Sequence, residues 1–214
     1  EEQGAKNTLE GMERLAREAA NLAPEVILCI TPHGPVFQDG LCVMQGASLS
    51  GDLGQFGRPG VGMELPVDRD VTKVFVSLLA EADIPHVEMD EGLAGRYGVK
   101  HTLDHGCLVP LYFIQKRYAD FRIVHITIGL LPLAEMYAAG RLLAEAVNRA
   151  GVRAVVLASG DLSHCLSDQG PYHYHPKGEV FDRRVESVIA SGDLEKLAQI
   201  PSDLYEPAGQ CGLP

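Results

Sequence analysis

The spacing of apolar residues predicts helices and strands that alternate along the whole chain. Apolar residues recur every three or four positions over residues 6–22, which predicts an amphipathic helix. Residues 26–30 are apolar without interruption, as in a strand buried on both faces. Further strands are predicted at 41–44, 86–89, 123–128 and 152–158, and further helices from Asp68 or Asp70 to about 82 and at 108–118, 133–150, 177–190 and 193–199.

This alternation predicts an α/β fold with a central, mostly parallel or mixed sheet flanked by helices. We expect one domain over residues 1–214. Residues 46–66 break the pattern, because they are rich in Gly and Pro and show little apolar periodicity. A long loop is therefore expected there, and loops of that length often carry function. We expect it to form a wall of the ligand pocket.

Composition excludes several classes of protein. The chain has 214 residues with 18 Lys and Arg against 29 Asp and Glu, a net charge of −11, so a basic nucleic-acid-binding face is not expected. No apolar run reaches the roughly 18 residues that a membrane span needs. The five cysteines are odd in number and form no CxxC motif, which favours free thiols in a reducing cytoplasm.

The carboxyl ends of strands are where α/β proteins bind ligands, and the first strand ends in a distinctive turn. His33 follows that strand and is flanked by Pro32, Gly34 and Pro35. An imidazole on a stiff turn suits metal binding or proton transfer. The alternative is a histidine that only satisfies nearby backbone groups.

The strand at 152–158 is followed by a second polar cluster. Asp161, Ser163 and His164 stand together after Gly160. His164 could act as a general base, since the pKa of histidine lies near neutral pH. The alternative is a helix cap with an uninvolved histidine.

A third cluster precedes the apolar helix predicted at 108–118. Asp104 could cap that helix, which would place His105 near its positive amino end, where anionic ligands are stabilised. The alternative is that Asp104 only caps the helix and that His105 binds no ligand. His101 belongs either to the same loop or to the exposed surface.

The remaining histidines and most cysteines fit structural roles. His173 and His175 are expected in a surface turn, with metal binding as the alternative if the segment is extended. His86 and His125 are expected within strands of the core or the sheet surface. Three cysteines lie among apolar residues and are expected in the core: Cys29, Cys42 and Cys107.

Four short motifs occur in a characteristic order: T-P-H-G-P (31–35), D-H-G (104–106), G-D-L-S-H (160–164) and A-G-Q-C-G (208–212). Together they resemble the class III extradiol ring-cleavage dioxygenase family of the LigB type, close to its Memo-like and AmmeMemoRadiSam system branch. The resemblance covers nearly the whole chain. It implies a LigB/Memo-like domain that here would lack its N-terminal strand and its C-terminal end.

The resemblance implies a metal site. Family dioxygenases hold Fe(II) with two histidines and a carboxylate, and His33 matches the second histidine. The first lies in an H-x-P turn that would precede Glu1, and the third ligand falls near Gln210 and Cys211. Fe(II) is therefore the expected cofactor, with Zn(II) as the alternative, because a Cys211 thiolate would favour the softer ion.

The resemblance also implies roles around the substrate. His164 matches the acid–base histidine and His105 the histidine near the substrate hydroxyl, with Asp161, Ser163 and His101 expected to bind substrate. The implied reaction is the cleavage of a small catechol-like aromatic with O₂. Two alternatives remain open: a Memo-like metal-binding protein without oxygenase activity, which works with a fused second domain or a radical-SAM partner, and a zinc hydrolase. A homo-oligomer is expected.

Overall fold

The computed structural model describes residues 5–169 and 172–213, which form two compact units that divide between Ser159 and Gly160. The helices of the first unit are α1 (Lys6–Leu22), α2 (Arg69–Glu81), α3 (Glu91–Tyr97), α4 (His105–Gln115) and α5 (Leu133–Ala150). Its strands are β1 (Val26–Thr31), β2 (Leu41–Met44), β3 (Ser48–Leu53), β4 (Arg58–Pro66), β5 (His86–Met89), β6 (Arg122–Thr127) and β7 (Ala154–Ala158).

The central sheet is mixed, which confirms the predicted α/β fold class. In the described part of the chain its strand order is β5-β2-β6-β1-β7. Strand β1 runs parallel to β6 and β7, whereas β2 is parallel to β5 and antiparallel to β6. Because β1, β6 and β7 are parallel, their carboxyl ends meet at one edge of the sheet, and Thr31 lies opposite Thr127 there.

Helices cover both faces of this sheet, as the uninterrupted apolar strands predict. Ile27 and Cys29 point to the face covered by α1 and α4, and Val26 and Leu28 to the face covered by α2 and α5. Side chains of β1 therefore alternate between two cores. The three cysteines expected in the core are buried there, and the cysteines are free thiols.

The prediction of a long loop at 46–66 is wrong. These residues form the antiparallel hairpin of β3 and β4, joined by a short 3₁₀ turn at Gly54–Phe56. The periodicity was weak because most hairpin side chains are exposed, while Leu49 and its partner Leu65 are buried. Gly51 is needed because a Cβ there would lie 2.3 Å from the carbonyl oxygen of Leu103. The hairpin thus packs closely on the loop that precedes α4.

Helix starts follow the capping residues in the sequence. Of the two candidates for α2, Asp68 is the cap, since its carboxylate accepts from the Val71 N–H at 2.9 Å. Helix α4 begins at His105, earlier than the predicted residue 108, because Asp104 caps it as expected. The short helix α3 was not predicted.

The second unit is helical in its described residues. It contains α6 (Pro176–Ser191), α7 (Tyr205–Ala208) and 3₁₀ segments at Leu194–Gln199 and Ser202–Leu204. The predicted helix at 193–199 is therefore a 3₁₀ helix, which suits so short a segment. Phe181, Val185 and Leu204 belong to its small core. Among the residues described, no helix is both long and apolar enough to cross a membrane.

Candidate functional site

His33 lies at the carboxyl edge of the sheet, where the sequence places it. Its backbone N–H donates to Oγ1 of Thr31 at 3.1 Å, which ties the turn to the end of β1. The next residue must be small, because a Cβ on Gly34 would lie 2.2 Å from Oγ1 of Thr127 on β6. The turn is therefore held against two strand ends, and the half-buried His33 ring has a defined position.

His105 faces His33 from the first residue of α4. The centroids of the two imidazole rings are 4.3 Å apart, with the ring planes tilted by 33°. The hairpin also contributes to this cluster: Nε2 of Gln55 lies 3.3 Å from Nδ1 of His105, and the Phe56 ring meets the His105 ring edge-on at 5.1 Å. These two hairpin residues were missed in the sequence, because their segment was interpreted as a loop.

A cavity of about 560 Å³ opens beside the two histidines. It is lined by the His33 turn, the 98–105 segment apart from His101, and the hairpin residues Ser50, Gly51, Asp52 and Gln55. The hairpin is thus a pocket wall, which confirms the role expected for residues 46–66. A cavity of this size suits a small organic ligand.

Asp104 connects the cavity to the core beneath it. Its Oδ1 accepts from Oγ1 of Thr31 at 2.9 Å and from the N–H groups of Gly106 and Cys107 at 2.8 and 3.3 Å. Its Oδ2 lies 2.8 Å from Nε2 of His125, which is fully buried on β6. The expectation that His125 lies in a strand is confirmed, but its carboxylate partner was not predicted.

The Asp104–His125 pair changes the pKa of both groups. Burial lowers the pKa of His125, but the hydrogen bond to Asp104 and the neighbouring Cys107 outweigh it and raise that pKa to about 9. Burial raises the pKa of Asp104, yet the hydrogen bonds from His125 and Thr31 hold it below its usual value. The two groups are therefore a buried ion pair at neutral pH.

His101 is not among the residues that line the cavity, although its neighbours Lys100 and Thr102 are. Its Nε2 instead donates to the backbone carbonyl of Gln45 at 2.8 Å. The ring therefore fastens the 98–104 segment to the residue after β2.

In the second unit, the His164 ring is fixed on three sides. Its Nε2 lies 3.1 Å from Oδ2 of Asp161, and its Nδ1 contacts the carbonyl oxygen of Gly209. The Tyr172 ring stacks on it with centroids 4.9 Å apart. The predicted acid–base residue thus has a defined orientation and a carboxylate partner nearby.

Ser163 has a local structural role in the same unit. Its hydroxyl donates to the carbonyl oxygen of Ala208 at 2.8 Å and accepts from the Cys165 N–H at 3.0 Å. Both bonds use the hydroxyl for the fold of the loop between Asp161 and α6.

Gln210 and Cys211 differ in how their donor atoms are used. Oε1 of Gln210 accepts from the N–H groups of Gly212 and Leu213 at 2.9 and 2.7 Å, and its Nε2 donates to the Leu213 carbonyl at 2.9 Å. A metal would have to displace these bonds. Cys211 is half-buried, burial raises the pKa of its thiol, and its Sγ lies 3.3 Å from the Asp161 N–H.

Comparison with known proteins adds to this geometry. The family model "Catalytic LigB subunit of aromatic ring-opening dioxygenase" matches residues 1–213. Protein CA_C1420 of Clostridium acetobutylicum is 39% identical over 212 residues, which cover 99% of this chain and 45% of that protein.

More distant relatives have two kinds of name. A MEMO1 family protein of Archaeoglobus fulgidus is 27% identical over 150 residues, 67% of this chain and 57% of that protein. The 2-aminophenol 1,6-dioxygenase beta subunit of a Pseudomonas species is 28% identical over 122 residues, 49% of this chain and 40% of the subunit. The chain spans about half the length of the curated relatives it matches.

Proposed function

Because the chain belongs to the LigB family of aromatic ring-opening dioxygenase catalytic subunits, we propose that its cavity binds a small aromatic diol for metal-dependent ring cleavage by O₂. The observation that carries this proposal is the facing pair of His33 and His105 beside a cavity of about 560 Å³. Imidazoles at the carboxyl ends of the parallel strands β1, β6 and β7 are suited to bind a polar ligand there.

In the first unit, His33 could supply one ligand to a divalent metal. An imidazole nitrogen is a donor that both Fe(II) and Zn(II) accept, and the stiff turn after β1 holds the ring in place. When bound, Fe(II) would supply the electrons that activate O₂ and a positive charge that favours the diol in its deprotonated form. Gln210 and Cys211 stay predicted ligands, and of these Cys211 has the less engaged donor atom.

His105 would bind the substrate rather than the metal. It stands at the N-terminus of α4, where the helix dipole favours negative charge on a nearby ligand oxygen. Gln55 and Phe56 contact its ring and limit its rotation. His105 would therefore hold a substrate hydroxyl by a hydrogen bond and stabilise the charge that develops on that oxygen.

His164 would accept the proton of the substrate hydroxyl. Nδ1 of its ring donates to the Gly209 carbonyl, so Nε2, which lies beside Asp161, is the nitrogen that would exchange the proton. Asp161 and Ser163 were predicted to bind substrate. The bonds of the Ser163 hydroxyl to Ala208 of α7 and to Cys165 favour a structural role for that residue.

A Memo-like metal-binding protein without oxygenase activity is the second candidate. It is favoured by the several relatives named MEMO1 family proteins and by position 210, where the chain has an amide engaged in its own loop instead of a carboxylate. A thiolate from Cys211 would then favour Zn(II). A radical-SAM partner or a further domain would belong to this proposal.

Anaerobic calorimetry with Fe(II) and Zn(II), followed by oxygen uptake with catechol, tests these proposals. We expect Fe(II) to bind the protein, His33→Ala to abolish binding, and His101→Ala, which alters a histidine outside the cavity lining, to preserve it. Preference for Zn(II) without oxygen uptake would favour the Memo-like protein. Absence of binding by either metal would overturn both proposals.

A further inference from the structure

A buried hydrogen-bonded chain of Thr31, Asp104 and His125 lies beneath the cavity, and the proposed reaction does not use it. Thr31 and His125 are fully buried, and the Asp104 side chain is 7% exposed. The three residues come from the end of β1, the start of α4 and the middle of β6. Polar side chains buried this deeply are costly unless they are paired, and here Thr31 bonds to Asp104 and Asp104 bonds to Nε2 of His125.

The same hydrogen-bonded chain of side chains also bonds to the backbone at or next to both cavity histidines. The Thr31 hydroxyl donates to Oδ1 of Asp104 and accepts from the His33 N–H, so one group connects the His33 turn to α4. Oδ1 of Asp104 also accepts from Gly106 and Cys107, which fixes the turn of helix that begins with His105. The separation of the two imidazoles therefore depends on a buried set of hydrogen bonds that extends from the cavity wall into the core.

His125 supplies the charge that keeps Asp104 ionised in this place. A buried carboxylate without a cation nearby would take up a proton, and a protonated oxygen is a weaker acceptor for the four groups that point at Asp104. His125 donates to Oδ2 and leaves Oδ1 to the helix and to Thr31. Each oxygen of the Asp104 carboxylate therefore has its own donors, and loss of the His125 bond would affect Oδ2 first.

We propose that Thr31, Asp104 and His125 are positioning residues that set the geometry of His33 and His105 for ligand binding. This inference rests on the proposed function, because it identifies what orients the residues of that cavity. It differs from ordinary helix capping, in which loss of the cap would lower stability and nothing else.

The protein contains a matched control for that distinction. Asp68 caps α2 with a bond to the Val71 N–H and pairs with Nε of Arg122 at 2.7 Å. Like Asp104 it is a buried capping carboxylate paired with a cation on β6, but α2 carries none of the candidate catalytic residues. Asp68→Asn therefore removes an equivalent pair without touching the His33 turn.

The experiment compares Thr31→Val, Thr31→Ser and Asp68→Asn by two measurements. Imidazole ¹⁵N NMR of the metal-free protein reports on His33 and His105, and calorimetry reports Fe(II) affinity. We expect Thr31→Val to shift the signals of both histidines and to lower Fe(II) affinity about tenfold or more, as loss of a group that orients a ligand commonly does. Thr31→Ser keeps the hydroxyl, so its histidine signals and Fe(II) affinity should match those of the unaltered protein. Asp68→Asn should change the melting temperature alone.

If Thr31→Val changed only the melting temperature, as Asp68→Asn does, the positioning role would be overturned. Should Thr31→Val not fold, Asp104→Asn keeps an oxygen for the helix cap but loses the charge pair, and it is judged by the same two measurements. Absence of Fe(II) binding to the unaltered protein would refute the proposed function by itself. The NMR signals would still decide the positioning role.

Discussion

Gly106 lies against the ring of His33, so closely that a Cβ on Gly106 would be 2.8 Å from Cδ2 of that ring. The same Cβ would come within 2.7 Å of Oγ1 of Thr31 and 2.9 Å of Oγ of Ser159. The first turn of α4 thus packs on the His33 turn with no space for a side chain. A glycine inside a helix is normally unfavourable, and here this close packing explains it.

Gly106→Ala is therefore expected to displace the His33 ring and to lower metal affinity about tenfold, despite the better helix propensity of alanine. Gly140→Ala in α5 is the control, because a Cβ added at Gly140 would have no atom within 4 Å apart from the backbone of its own helix and its chain neighbours. That change should stabilise the protein by about 0.5–1 kcal/mol in urea unfolding and leave metal affinity unaltered. Wild-type affinity in Gly106→Ala would show that His33 does not bind the metal.

The buried His125 predicts how stability depends on pH. Its pKa is raised from 6.5 to about 9 in the folded protein, so its contribution is complete below pH 6.5 and is lost as the pH rises through 9. The free energy of unfolding should therefore fall between pH 6 and pH 10, by an amount on the order of 3 kcal/mol. Urea titrations at several pH values measure this free energy of unfolding.

The matched variants for that experiment are His125→Gln and His86→Gln. His125→Gln should remove most of the pH dependence over this range, whereas His86→Gln, which alters a half-buried histidine on β5, should retain it. Equal slopes in the two variants would mean that His125 does not carry the effect.

His164→Ala should lower turnover of a cleaved catechol by about 10²–10⁴-fold while metal affinity stays unchanged, because a general base acts on the substrate and not on the metal. Asp161→Asn should cause a smaller loss, since it weakens only the orientation of the His164 ring. Oxygen-uptake kinetics provide the measurement. His173→Ala, which alters an exposed histidine of the same unit, should behave as the unaltered protein does.

Gln210→Glu separates the two candidate ligands of its loop. The new side chain would keep the acceptor for Gly212 and Leu213 but would place an oxygen against the Leu213 carbonyl. We expect a loss of about 1 kcal/mol in stability and no gain in Fe(II) affinity. Gln169→Glu, at an exposed position, controls for the added charge. A clear gain in affinity would instead identify residue 210 as a ligand.

The sequence predicted those elements whose apolar residues repeat regularly. The helices at 6–22 and 133–150 were found with the ends that the structure gives them, because apolar residues recur at helical spacing and Gly151 marks one end. The hairpin and α3 were missed because apolar residues do not repeat regularly in them. Most hairpin side chains are exposed, and α3 has only seven residues, two of them glycines. In both, tertiary contacts decide the structure more than local pattern does.

Part of the candidate site could be predicted in the same way. His33 and Asp104 were found because strand ends and helix caps have local signals. The pairing of His125 with Asp104 has no such signal, since it depends on how β6 lies under α4, 21 residues away in sequence. Nor could Gln55 and Phe56 be placed beside His105 before the hairpin was known to fold over α4.

The β3–β4 hairpin has a consequence for how such a protein can evolve. Its base is anchored in the core through the buried Leu49 and Leu65, while the turn from Gly54 to Phe56 and the start of β4 are largely exposed. Insertions or substitutions in that turn would reshape the wall of the cavity and leave the register of the central sheet intact. Ligand preference and folding stability can thus diverge under selection, because different residues determine them.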